Sequence, residues 1–170
     1  MNSLFIYAQI FGLLGMIFQV SSFFHNEKKK LLIYQIFANI LYGFQYLFLN
    51  AIGGLVMCVI CIIRNFVFFK NKISKKNLFM TWLSIIVCTI LFCDHFIDCL
   101  PMIAVIIYSY ALYQDNLKIT RIIDICSCLL CIIYSWVVLA FGSVISYLIE
   151  LIVVLISLKK YNLKRDKNVR

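Results

Sequence analysis

The placement of Lys and Arg constrains this chain more than any other feature. Of its 16 basic residues, all but Arg64 fall in alternate gaps between apolar runs. Lys28, Lys29 and Lys30 follow the first run, and Lys70, Lys72, Lys75 and Lys76 follow the third. Lys118 and Arg121 follow the fifth, and Lys159, Lys160, Lys164, Arg165, Lys167 and Arg170 follow the seventh. The second, fourth and sixth gaps hold no Lys or Arg. Short cytoplasmic loops of membrane proteins retain basic residues and translocated loops lack them. The pattern therefore predicts a polytopic membrane protein with its N-terminus outside and its C-terminus in the cytoplasm.

Composition agrees with that class. Hydrophobic residues make up 64% of the 170 positions, and the mean hydropathy is +0.99. A soluble domain is only about 45–50% apolar, so this chain lacks the polar surface to cover a globule in water. One membrane domain over 1–170 is expected, retained in the inner membrane without a cleaved leader because Met1-Asn2-Ser3 has no basic n-region. The formal charge of +9 does not signal nucleic acid, since it sits in short gaps rather than along a face with stacking aromatics. Anionic lipids of the cytoplasmic leaflet are the expected partners of these loops.

A helix needs ~20 residues to cross ~30 Å of hydrocarbon. The runs place spans at 4–24, 31–49, 52–70, 78–93, 97–114, 119–139 and 142–159. The fourth is the shortest, and charge decides for it: without it, the Lys118/Arg121 loop and the basic tail would face the opposite side from the other basic loops. The predicted fold is all-α, with seven transmembrane helices. A shift of 89 positions overlays the first three spans on the last three. Gly53 then meets Gly142, Lys70 meets Lys159, and Lys29 meets Lys118. The expected plan is two parallel three-helix units, 1–72 and 96–161, joined by a loop and linker helix over 73–95 and followed by a basic tail, 162–170. Parallel repeats of this kind bind substrate near the midplane between the units. Ala8, Gly12 and Gly15 put small residues on the first helix, where another backbone can approach.

The first unit carries Phe18-Gln19-Val20, then Asn39-Ile40-Leu41-Tyr42-Gly43, then Asn50-Ala51-Ile52-Gly53. This resembles the PQ-loop and SWEET/SemiSWEET pattern of a Pro-Gln pair late in helix one, Asn with Tyr-Gly in helix two, and Asn-x-x-Gly opening helix three. The size of the chain and its Ser21-Ser22-Phe23-Phe24 stretch ahead of a charged loop resemble the YgjV-type bacterial inner-membrane proteins. Phe18 replaces the proline. In the second unit Ile107-Tyr108 takes the Pro-Gln position and Cys128 the position of Asn39. The resemblance implies movement of a small solute, and the asymmetry argues against a sugar. SemiSWEET-like units must dimerise, whereas this chain carries both halves, so a monomer suffices.

Ionisable groups inside hydrocarbon are costly, about 2.5–3.5 kcal/mol at a helix centre. Glu150 lies halfway along the seventh span. Its counterpart in the first unit is Cys61, and Arg64 lies one turn from Cys61 on the same helix face. Arg64 and Glu150 are expected to pair across the interior or to line one cavity. Two alternatives stand beside this: Arg64 reaching to the cytoplasmic interface near Lys70, and Glu150 as a neutral carboxyl that only holds helices together. Asp124 either pairs locally with Arg121 or joins a polar layer with Gln35, its counterpart. Gln19, Asn39 and Asn65 are expected to face the bundle, because lipid leaves amides unsatisfied. A neutral carboxyl is favoured by low dielectric and a charged one by a nearby guanidinium, so a solute displacing Arg64 would move a proton at Glu150.

The cysteines read as packing. Cys58 with Cys61, and Cys128 with Cys131, have metal-like spacing but no accompanying His, and a buried thiol behaves as a small hydrophobe. Cys93 and Cys99 flank the fourth gap, and the stretch between them, with Asp94, His95 and Asp98, reads as a solvated outer turn rather than a metal site. No metal and no cofactor are expected. There is no nucleophile elbow, catalytic carboxylate pair or phosphate-cradling glycine loop, so no enzyme is expected. The sequence thus points to a small-solute transporter with Arg64 and Glu150 central, supported by Asn39, Gln19, Asn65 and Asp124. The alternative is a scaffold or accessory protein whose polar core only sets helix packing.

Overall fold

The computed structural model describes residues 3–22, 28–70, 74–93, 95–114 and 117–169. Their regular structure is helical throughout: α1 (Ser3–Ser22), α2 (Lys28–Phe48), α3 (Ile52–Lys70), α4 (Lys75–Phe92), α5 (Cys99–Tyr113), α6 (Leu117–Val137) and α7 (Phe141–Val169). A single 3-10 turn, Phe96–Asp98, leads into α5. Six of these spans are long and apolar enough to cross a membrane, the short fourth among them, and α7 contributes the apolar stretch Phe141–Ile156. The chain is an all-α membrane protein. Helices suit the sequence because hydrocarbon offers backbone groups no partner, and a helix satisfies them internally.

Two boundaries differ from the sequence reading. The seventh helix runs on to Val169, through the stretch taken as a separate tail, because no Pro or Gly follows Gly142 to stop it. The fourth helix begins at Lys75, where the Ser74 hydroxyl accepts the Asn77 N–H at 3.3 Å and caps an otherwise orphaned donor. Asp94 lies outside the described residues.

The distribution of side chains is that of a protein solvated by lipid. Large apolar residues such as Ile17, Ile63, Phe79, Ile90 and Leu91 face outward, while Gln19, Gln35, Gln45, Arg64, Asn65, Asp124 and Glu150 are buried. On α1 the buried residues are Ala8, Gly12, Gly15, Gln19 and Ser22, three or four apart and hence on one face.

That face receives α2 on one side and α7 on the other; α2 packs on α3, α3 on α5, α5 on α6 and α6 on α7. Six helices thus close a ring, and α4 packs outside it against α3 and α5. The α1–α7 seam is tight. A Cβ on Gly142 would lie 2.6 Å from the carbonyl carbon of Gly12, so the two backbones meet where neither carries a side chain.

The α2–α3 and α6–α7 turns have the same construction. Asn50 and Leu139 adopt left-handed φ values of 55° and 57°. The Ala51 N–H reaches the Tyr46 carbonyl at 2.9 Å, and the Ala140 N–H reaches the Ser135 carbonyl at 2.8 Å. Asn50 N–H to Leu47 and Leu139 N–H to Trp136 complete each pattern, the paired bonds of a Schellman helix end. These positions stand 89 residues apart, as do Tyr46 and Ser135, whose hydroxyls share a hydrogen bond at 3.1 Å.

Candidate functional site

The ring holds a half-open cavity of about 60 Å³, lined from α1, α2, α3, α5, α6 and α7. Five pairs of its lining residues keep the same 89-residue offset: Gln19 with Tyr108, Gln35 with Asp124, Asn39 with Cys128, Tyr42 with Cys131, and Cys61 with Glu150. Arg64 also lines it. The cavity lies between the middle of the helices and their basic-loop ends. Toward the opposite ends, Tyr46 and Tyr134 pack with ring centroids 5.8 Å apart. There the Tyr134 hydroxyl accepts the Gly54 N–H at 2.6 Å, and the Ser143 hydroxyl donates to Gln45 Oε1 at 2.6 Å.

Arg64 turns inward, not to the interface. It is 3% exposed, and its guanidinium lies 5.2 Å from the Tyr108 ring centroid, a cation–π distance. Its Nε and Nη2 both donate to Asn65 Oδ1, at 3.1 and 2.9 Å, and Nη1 donates to Ser109 Oγ at 3.2 Å. Asn65 in turn donates to Gln35 Oε1 at 3.4 Å, and Gln35 Nε2 donates to the Tyr108 hydroxyl at 2.8 Å. One network therefore joins α2, α3 and α5 around the guanidinium. Asn65 stands behind this wall, fully buried, rather than lining the cavity.

Glu150 faces the same cavity from α7. Gln19 Nε2 on α1 donates to its Oε2 at 3.2 Å. Among the described residues Arg64 and Glu150 share the cavity but form their hydrogen bonds with other groups, Arg64 donating to Asn65 and Ser109 and Glu150 accepting from Gln19, not with each other. Asn39 lines the cavity and spends its amide on the Gln35 carbonyl of its own helix, at 2.6 Å. Asp124 also points inward. Among the described residues its Oδ1 is buried without a hydrogen-bond partner, and Arg121, three residues earlier, acts on it only at longer range. The expected local ion pair is not formed among the described residues, because Asp124 takes the inward face of α6 while Arg121 is half-exposed near its start.

Asp124, Cys128 and Glu150 bring one donor atom each to within 4.8 Å of one another, all buried. The sequence reading grouped Cys128 with the packing cysteines. It also passed over Ser109 and Ser127, and named Tyr108 only as a departure of the second unit from the motif. The signal for two of these was present, since Tyr108 and Cys128 occupy the positions where the second unit departs from the motif of the first. None of the eight cysteines is disulfide-bonded. At the far end, Asp98 receives a long hydrogen bond, 3.5 Å, from the Tyr134 hydroxyl and lies where a Cβ on Gly53 would be, so it closes the fold rather than hanging in solvent.

A family model matches residues 6–167, nearly the whole chain. The chain belongs to the Imp-YgjV family, bacterial inner membrane proteins. Comparison with curated proteins and with solved structures returned no match. As a member of the Imp-YgjV family the protein sits in the lipid bilayer of the inner membrane, and its outward apolar side chains are the surface that bilayer covers.

Proposed function

We propose that this Imp-YgjV protein is a small-solute transporter of permease type, not an enzyme. Its polar site lies between two parallel three-helix units, α1–α3 and α5–α7, with α4 as the linker in a SWEET-like 3+1+3 plan. The basic loops face the cytoplasm and the N-terminus lies outside. The observation that carries the reading is the lining of the cavity by residue pairs at one constant offset. A site built from matching positions of two units is what alternating access between repeats requires. The Tyr46–Tyr134 side closes it toward the outside, and the cavity extends toward the cytoplasmic ends. Glu150, held by Gln19, is the group that exchanges a proton when solute binds.

A scaffold reading competes, and the small volume favours it. Ligand pockets usually enclose ~300–1,000 Å³, and about 60 Å³ holds only water-sized or ionic species. The two readings differ in water access. Cys61, Cys128 and Cys131 line the cavity, and a thiol reacts with a water-soluble, membrane-impermeant reagent only when water reaches it. In variants retaining one of these thiols at a time, a transporter shows labelling from at least one face of oriented membrane vesicles. Three thiols unreactive from both faces would remove the transport reading.

A further inference from the structure

We infer that Asp124, Cys128 and Glu150 form a binding site for a divalent transition-metal cation of Zn²⁺ type. This goes beyond the transport reading: the assignment is of a site, whether its ion is cargo or resident.

The donor set comes first. Two carboxylates and a thiol present their ligand atoms within 4.8 Å of one another. Asp124 and Cys128 are four residues apart on α6 and so share a face; Glu150 meets them from α7. Zinc bonds of ~2.0–2.3 Å to O, N and S set ligand-to-ligand edges of about 3.3–3.7 Å in a tetrahedron. Closure by side-chain rotation of about 1 Å forms that tetrahedron, with the fourth position open to water or solute.

The second observation is independent of spacing. Asp124 Oδ1 is buried, aimed into the cavity and without a hydrogen-bond partner among the described residues. Buried polar atoms normally find one. No cationic side chain touches either carboxylate among the described residues: Arg64 is committed to Asn65 and Ser109, and Arg121 acts at longer range. Among the described residues the site has two acids and no contacting counter-ion.

Charge and size then select the occupant. Coordination displaces the Cys128 thiol proton together with any proton held by either carboxyl, all of which leave to solvent, so a dication with two carboxylates and one thiolate carries a net single negative charge. Arg64, on the same cavity, balances it. A volume of about 60 Å³ admits a metal ion with a water and excludes a sugar. The thiolate discriminates against Mg²⁺ and Ca²⁺, which prefer all-oxygen sites. Gln19, donating to Glu150 Oε2 at 3.2 Å, fixes the carboxylate as outer-shell partners of metal ligands do.

The test uses full-length protein purified in detergent, stripped with a chelator and titrated with Co²⁺. Expected is a saturable thiolate-to-cobalt charge-transfer band at one equivalent, abolished by added Zn²⁺. Cys128→Ser removes the band, while Cys131→Ser, a neighbouring thiol on the same cavity, keeps it. Asp124→Asn and Glu150→Gln weaken Co²⁺ binding by at least about tenfold, the lower end of the loss seen when even an outer-shell partner is removed. No saturable band in the wild-type protein overturns the assignment, and so does a band that survives Cys128→Ser. If Cys128→Ser fails to fold, alkylation of the wild-type protein decides: Zn²⁺ must protect Cys128 and leave the outward-facing Cys126 reactive. Binding is read at equilibrium in detergent, whereas the transport reading is tested by access in membranes, so the two fail separately.

Discussion

Gly142→Ala tests the α1–α7 seam most directly. The new Cβ would stand 2.6 Å from the Gly12 carbonyl carbon, 2.7 Å from Gly12 Cα and 2.8 Å from the Leu13 nitrogen, where ordinary contact begins at 3.4 Å. All three are backbone atoms and cannot rotate aside, so the helices must part by about 0.8 Å locally. Overpacking of this kind costs ~1–3 kcal/mol; the better helix propensity of Ala returns ~0.5–1 kcal/mol. The net loss at mid-range is about 1.3 kcal/mol, which in a chain of this size lowers Tm by roughly 3–5 °C. The separation also reaches the Gln19–Glu150 bond, which joins the same two helices two turns further along. Thermal unfolding of purified protein in detergent measures the loss. Gly43→Ala is the matched control, because its Cβ would meet Cys58 Cβ and Leu55 Cδ1 at an unstrained 3.7 Å. If Gly142→Ala melts no lower than Gly43→Ala, the two backbones are not in contact and the closed ring is wrong.

Three further substitutions bear on the interior. Gln19→Leu removes the amide that holds Glu150 and should cost ~1–3 kcal/mol, the desolvation of a buried acceptor left unmatched; a chemical-denaturation midpoint reports it. Asp124→Asn should raise the Tm of the metal-free protein, because it removes a buried acid whose Oδ1 has no partner among the described residues, while weakening Co²⁺ binding at least about tenfold; a variant that is not stabilised contradicts the first argument, and one that binds the ion as tightly as the wild type contradicts the second. Leu139→Asn should stabilise by about 0.5–1 kcal/mol, since Asn accepts a left-handed φ of 57° more readily than Leu does; the same thermal assay shows a Tm unchanged or lowered if that φ carries no strain.

The spans were legible because hydrocarbon length and basic loops act on the chain one segment at a time. Even the short fourth span followed from which side Lys118 and Arg121 must face. Arg64 and Glu150 stood out for the same reason: a charge in an apolar run is visible without knowing its neighbours. What they bond to was not legible. Asn65, next to Arg64 in sequence, takes two of its donors, and Ser109, 45 positions away, takes the third. Asn65 was expected to face the bundle but not to hold Arg64, and Ser109 gives no signal of its own, since Ser is ordinary in such helices. The grouping of Cys128 with two acids was hidden for a related cause. That carboxylates from α6 and α7 converge on its thiol depends on helix rotation about its axis. The 89-residue offset was the exception, a long-range signal written in register, and it reappears in the two matching turns.

The position of α4 outside the ring bears on how this protein can be handled. Among the described residues α4 supplies nothing to the cavity wall, and it is the least buried of the six spans. Its ties are the seam with α3 and α5, including the Trp82 indole N–H on the Ile106 carbonyl at 3.3 Å. Drift in its outward residues, such as Phe79, Leu83, Ile86 and Ile90, is checked only by greasiness and length. That face is the natural mounting point for a fluorophore or an engineered fiducial, with Trp82 as a built-in optical gauge of whether the attachment has lifted the helix from its berth.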